Sequence, residues 1–433
     1  MKFKISNLLI ALIFINMIGS IHSLADLAPF NTIIRLFRLA TVPLLIGFIA
    51  ILLPRQPLAQ LRESLLLCLS PIILICVNLL QLFALPDILL PTHATGSARF
   101  TTWFLLYIAT ILALNPVTVN KVKNAIFILL VAIFVIGILQ YPRIIVQAGG
   151  QIGTALSNYG QVESRYQLAG IFGSANEDAN GLITLYPLTL LWIEQQKGLK
   201  RTLLRWTLLF YFPLILVFNG TRTALIVSFP LITTLFYWKL SLKQFLLWLG
   251  PLAATALLLI QASAGLIERV FGQESQGSGS LGWRIEHAWV PAVDYTWAKA
   301  PLFGFGSRGW EYITHQLQIY DIEGMAEPAH SGYVWVFVSW GALGLFAYVT
   351  FLGLLLAQAF SLSLSEQTEI ALGGRALLCA VIGYCLWAFI SNVMWPQGWL
   401  ILILLATLIA CFKILEREEN QPALLEPEVL QPT

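Results

Sequence analysis

His330 stands directly ahead of an apolar run: Ala329-His330-Ser331, nine residues through Trp340, then Gly341-Ala342-Leu343-Gly344. A histidine is costly inside hydrocarbon and useful at its edge, where its ring exchanges a proton near neutral pH. Two arginines share that setting. Arg222 lies in Asn219-Gly-Thr-Arg-Thr-Ala, a hairpin so short that the guanidinium must stay near a membrane surface. Arg284 lies in Gly282-Trp-Arg-Ile-Glu-His-Ala-Trp. Each has a plain reading alone: a snorkelling helix end for Arg222, stacking on tryptophan or pairing with Glu286 or Asp294 for Arg284, a helix cap for His330. Together they make two planar cations and one titratable base on a single membrane face. That set suits a phosphate-bearing lipid, because arginine grips phosphate oxygens bidentately and stays charged.

Gly341 and Gly344 follow His330 by eleven and fourteen positions, about three and four helical turns, near the same helix face. They permit close helix approach and would hold the histidine rigidly. A third cluster runs from Arg165 to Asn180 and leads from a loop into a helix. Asn176, Asp178 and Asn180 are suited to capping that helix and equally to bonding sugar hydroxyls. No phosphate loop, paired-cysteine motif or His-x-x-x-His spacing is present, so the expectation is no metal and no cofactor. Gly304-Phe-Gly306 is a turn without the strand context of a dinucleotide site.

The elements that position these residues are membrane helices. Hydrophobic residues make up 58% of the 433 and charged residues 11%, against about 25% charged in soluble domains. The expected fold is all-α, a polytopic membrane protein of about 12 transmembrane helices. The spans are 5–21, 31–53, 65–85, 100–116, 121–141, 179–195, 203–219, 221–238, 243–264, 331–358, 376–393 and 397–413. With a cytoplasmic N-terminus, one side collects Lys2, Lys4, Arg55, Arg62, Lys121, Lys123, Lys197, Lys200, Arg201, Arg205, Lys239, Lys243, Arg375, Lys413 and Arg417. The basic-side rule makes that side cytoplasmic and turns the long loops 142–178 and 265–330 outward. The organisation is therefore helices 1–9 over 1–264, a large loop over 265–330, helices 10–12 over 331–415, and an acidic disordered cytoplasmic tail over 416–433. Met1–Ala25 has the features of a secretory signal, and an uncleaved first helix is the favoured reading. The five cysteines lie in apolar segments and read as small core residues. A net charge of +3 gives no basis for nucleic-acid binding.

Within the large loop, a glycine-serine passage from Gly272 reads as a hinge. Beyond it, Trp283 to Trp297 has helical periodicity through Ile285, Trp289, Ala292, Val293 and Trp297. Pro291 should kink or divide this helix, and its tryptophan-rich face should lie on the membrane interface as a lid. Pro301-Leu-Phe-Gly-Phe-Gly306 then turns the chain.

Taken in order, these motifs resemble the O-antigen ligase and polymerase superfamily of bacterial envelope glycosyltransferases. The resemblance runs from about Arg165 to Phe346. It rests on the Gly170-Ile-Phe…Asn176…Asp178-Ala segment, the Arg222 hairpin, Trp283-Arg284…Trp289, Pro301–Gly306, and His330-Ser-x9-Gly341-x-x-Gly344. It implies a GT-C-like enzyme of the bacterial inner membrane, with its site and large loop facing the periplasm. The implied donor is a glycan on undecaprenyl pyrophosphate, and the acceptor is lipid A-core or another glycan. Arg222 and Arg284 would neutralise the pyrophosphate and His330 would deprotonate the acceptor, inverting the anomeric centre without a metal. Arg165, Asn176, Asp178 and Ser331 are the candidate substrate-binding residues. Ligation to lipid A-core is favoured because the long loop falls between the ninth and tenth of twelve spans. An O-antigen or exopolysaccharide polymerase and a protein O-oligosaccharyltransferase share the motif. A polysaccharide transporter or flippase is the rival of another class, and it predicts repeated halves and midplane charges that this chain lacks.

Overall fold

The computed structural model describes residues 5–18, 41–55, 58–85, 89–147, 175–219, 224–237, 281–319, 329–391 and 396–420. All regular structure among them is helical. In chain order the helices are α1 (Ile5–Ile18), α2 (Thr41–Leu52), α3 (Leu58–Ala84), α4 (Leu90–Ala113), α5 (Pro116–Gln147), α6 (Ala175–Glu194) and α7 (Gly198–Asn219). After them come α8 (Phe229–Phe236), α9 (Val290–Lys299), α10 (Gly309–Leu317), α11 (Gly332–Ser363), α12 (Thr368–Ile390) and α13 (Pro396–Asn420). Five segments are long and apolar enough to cross a membrane: Leu67–Ala84, Pro116–Tyr141, Gly332–Ser363, Thr368–Phe389 and Gly398–Glu419. That is a membrane-type helical bundle with five such spans among the described residues. The expected ninth span, 243–264, lies outside those residues, as do the hinge at Gly272 and most of the loop 142–178.

α13 is apolar all round and forms the centre, with Trp399 to Cys411 almost wholly buried. Ile128, Ile136 and Leu139 of α5 and Phe346 of α11 turn outward instead, as side chains facing lipid do. Gly383 of α12 lies against Ile183 and Thr184 of α6, and Glu194 at the end of α6 faces Arg375 near the start of α12. The two helices are therefore antiparallel. One end of the bundle gathers Arg205 ion-paired with Glu194, Tyr237 donating to Glu194 at 2.9 Å, Arg375, and Lys123 over the Phe412 ring. The opposite end carries Asp178, to which Gln140 donates at 3.1 Å, and the start of α11. The basic residues and the candidate chemistry thus occupy opposite ends.

Two prolines follow π-helical turns. Ala224–Ser228 is a π turn ahead of Pro230, and Arg284–Trp289 is a π turn ahead of Pro291. A proline ring clashes with the carbonyl four residues back, and a π turn shifts that carbonyl by adding a residue. Val290 N–H accordingly bonds Ile285 O, five residues back. Of the two outcomes expected at Pro291, a kink or a division, the helical path shows no division: one extra residue in the π turn absorbs the clash.

Candidate active site

α11 is broken where the apolar run meets its first glycine. Gly341 has φ 65° and ψ −165°, a conformation open in practice only to glycine. In an unbroken helix Ala342 N–H would bond Val338 O, and Leu343 N–H would bond Ser339 O. Here the Pro301–Gly306 turn enters the gap and takes all four partners. Pro301 O accepts from Ala342 N–H at 2.8 Å and Leu302 O from Leu343 N–H at 3.3 Å. Phe305 N–H donates to Val338 O at 2.9 Å and Gly306 N–H to Ser339 O at 2.8 Å. These four backbone groups keep partners across the break, which lets a helix carry it in an apolar setting. A methyl group on Gly341 would lie 2.5 Å from Phe303 N and against the Leu302 carbonyl. Gly341 is therefore the seat of a turn rather than a helix-to-helix contact; Gly344 packs against the Trp340 side chain.

The break separates a short outer half of α11 from the long inner half. Edge-to-face rings hold the outer half: Trp335 on Trp340 at 5.5 Å, and Phe100 of α4 on Trp340 at 5.1 Å. Such pairs contribute about 0.5–1.5 kcal/mol each beyond their buried area. His330 sits at the head of this half with φ 47°, a left-handed conformation that is uncommon for a side-chain-bearing residue. Its helix cap is supplied next door. Ser331 is extended, only 2% exposed, and its Oγ accepts from Val334 N–H at 3.5 Å. The capping role weighed for His330 thus belongs to Ser331. The ring of His330, half-buried, is carried on a strained backbone just outside the helix.

Arg284 opens the π turn Arg284–Trp289, half-buried. At the other end of that turn Trp289 Nε1–H donates to Ala329 O at 2.6 Å, so the arginine-bearing element is tied to the residue preceding His330. Trp289 and Ala292, with Thr296 one turn on, are buried against the bundle; Ile285, Val290 and Trp297 face out, Trp297 64% exposed. The apolar face expected to lie wholly on the membrane is split in two. Small Ala292 and Thr296 let the stripe that carries Trp289 pack on protein, and Ile285, Val290 and Trp297 remain on the outward side.

Asp178, buried in the first turn of α6, has the position where a helix N-terminus favours a carboxylate. Asn176 lies in the same turn, and its side chain is outside the described residues, as are Arg165 and Arg222. Arg222 precedes the π turn Ala224–Ser228 by two positions in sequence.

A polar cluster that sequence reasoning missed sits beneath the Pro301–Gly306 turn. Gln81 of α3 donates to Ser339 O at 2.6 Å and to Phe303 O, joining α3, the turn and the broken helix. His93 of α4 accepts from Ser307 N–H through Nδ1 at 3.0 Å, and its Nε2 lies 3.0 Å from Asn78 O. Ser97 Oγ lies 2.8 Å from His93 Nε2 and donates to Asn78 Oδ1 at 3.2 Å. Gln81, Asn78, His93, Ser97, Ser307 and Ser339 are all buried.

No curated protein matches the chain. Residues 207–349 match a family model described as O-antigen ligase; that stretch holds Arg222, Arg284, His330, Gly341 and Gly344, while Arg165, Asn176 and Asp178 precede it. Over residues 207–349 this match supports the resemblance to the O-antigen ligase and polymerase superfamily.

Proposed function

We propose that this chain is an inverting glycosyltransferase that moves a glycan from undecaprenyl pyrophosphate to an acceptor hydroxyl, most specifically lipid A-core. The match over 207–349 supports an O-antigen ligase- or polymerase-type function on glycan and lipid-linked substrates, and the five apolar helices support a membrane-embedded protein. The finer reading rests on one observation above all: His330 is held outside a helix that Ser331 caps, and tied through Ala329 to the element carrying Arg284. In this reading the acceptor oxygen attacks the anomeric carbon as His330 takes its proton. The carbon–oxygen bond to pyrophosphate breaks, and its electron pair leaves on a phosphate neutralised by Arg222 and Arg284. Arg165, Asn176 and Asp178 bind the glycan. The lid, 265–330, keeps water from a transfer that must not become hydrolysis. The full bundle has twelve spans in a GT-C-like arrangement, lies in the inner membrane and opens to the periplasm.

Purified protein given a lipid-pyrophosphate glycan and lipid A-core should form the ligated product without nucleotide, and EDTA should leave the rate unchanged. Loss with EDTA, restored by Mg²⁺ or Mn²⁺, would sink the arginine mechanism. Chain extension of the donor with no product on lipid A-core would assign a polymerase instead.

Orientation has its own check. Gln316 on α10 and Thr368 at the start of α12 are both exposed, at opposite ends of α11. A cysteine at Gln316 should react with a membrane-impermeant reagent in intact spheroplasts, and one at Thr368 should react only after lysis. The reverse pattern would turn the site to the cytoplasm.

A further inference from the structure

The Pro301–Gly306 turn is fixed at two places. One is the break in α11. The other is the α3–α4 pair, where His93 receives Ser307 N–H through Nδ1 and Gln81 reaches both Phe303 O and Ser339 O. His93 is one of five histidines in the chain and sits 214 positions from its partner, in a part of the sequence that carries none of the motifs. Its ring is used at both nitrogens: Nδ1 accepts, so Nε2 carries the hydrogen and donates to Asn78 O at 3.0 Å. The fit is close. A side chain on Gly306 would strike His93 Nδ1 at 2.8 Å, and a Cβ on Gly96 would come within 2.7 Å of Ser307 Cβ. Only a neutral ring fits this pattern, and burial pushes the His93 pKa below the ordinary histidine value, with the Asn78 hydrogen bond opposing.

We propose that His93 is a positioning residue for glycosyl transfer: a latch that, through Ser307, holds the Pro301–Gly306 turn in the break of α11 and so fixes the outer half of that helix, with His330 at its head. The turn replaces two rungs of the α11 ladder, so its displacement leaves Val338 O and the N–H groups of Ala342 and Leu343 without these partners, and Ser339 O with Gln81 alone. The outer half of α11 then loses its fixed relation to the inner half. A catalytic geometry held to within about half an ångström does not survive that freedom. The kinetic part of this proposal rests on the glycosyl-transfer reading; the mechanical part does not.

The test uses the full-length purified protein. A cysteine at Ser307, which is buried, should be protected from a membrane-impermeant maleimide in the native background and modified in His93→Ala, as located by peptide mass mapping. His93→Ala should lower the transfer rate at saturating donor at least tenfold. In the His93→Ala chain a Gly96→Cys/Ser307→Cys pair replaces the latch covalently, once the turn moves out by about an ångström to reach disulfide spacing. The oxidised form should recover most of the rate, and reducing the folded protein should remove it again, which a folding defect would not do. If His93→Ala fails to accumulate, His93→Gln carries the converse test: its amide offers one acceptor and one donor, and should keep both protection at position 307 and transfer. Protection of position 307 in His93→Ala, an unchanged transfer rate, no recovery on oxidation, or a His93→Gln chain labelled at 307 would each overturn the latch. A native protein with no transferase activity would defeat the glycosyl-transfer reading, while the labelling arm would still decide the mechanical one.

Discussion

His330→Ala is expected to leave lipid-pyrophosphate binding intact and to lower transfer by about 10²–10⁴-fold, the range for loss of a positioned general base. The start of α11 should survive in the variant, because Ser331 supplies the cap and its Oγ keeps Val334 N–H. His330→Gly sharpens the experiment. The backbone at this position has φ 47°, and glycine adopts it without the cost of about 1–2 kcal/mol that a Cβ incurs. The glycine variant should therefore be more heat-stable than His330→Ala and equally inactive, separating the backbone strain from the chemistry of the ring. Arg284→Lys is the contrast. It keeps a charge on the π turn and loses the planar fork, so it should weaken donor binding as well as slow transfer. A His330→Gly protein that still transfers glycan at the native rate would remove the base from the mechanism.

The all-helical, membrane-type character and several long helices were legible in the sequence because apolar length is a local property, whereas the short α10 over Gly309–Leu317 was not. The starts of α5, α6, α11 and α13 fall within about five residues of the spans expected from composition. α4 was legible only in part. It begins at Leu90 rather than near 100, since Pro91, Thr92, His93, Ser97 and their neighbours read as loop. His93 and Ser97 are hidden because the cluster under the turn bonds them, and a partner 214 positions away leaves no local trace. Pro291 was legible as a disturbance, but its remedy was not: a π turn and a kink start from the same letters. Ser331 reads in the sequence as a candidate substrate-binding residue, and the structure gives its Oγ the capping hydrogen bond. Gly341 shows the limit most clearly. A glycine that lets two helices approach and a glycine that must take a left-handed backbone are the same residue in a sequence, and only the carbonyls of Pro301 and Leu302 tell them apart.

Gly341→Ala is accordingly expected to be among the most damaging conservative changes in the chain, of the order of 3 kcal/mol or more. Two costs add. The conformation at φ 65°, ψ −165° is closed to alanine, and the new methyl would press on the Leu302 carbonyl and on Phe303 N at 2.5 Å. Neither neighbour is a flexible side chain, so relief requires the turn to leave the break, and four hydrogen bonds leave with it. Gly353→Ala is the matched control. It lies in the inner half of the same helix with nothing within 4 Å of the added methyl, so it should be neutral or stabilise by up to about 1 kcal/mol. The melting temperature in one detergent should therefore fall for Gly341→Ala and hold or rise for Gly353→Ala. Transfer should be lost in Gly341→Ala even at temperatures where it remains folded, because the outer half of α11 no longer holds His330 in register with Trp289 and the Arg284 turn. Equal melting temperatures for Gly341→Ala and Gly353→Ala would mean that α11 is not broken in the protein, and would remove the seat on which the turn, the latch and the placement of His330 all depend.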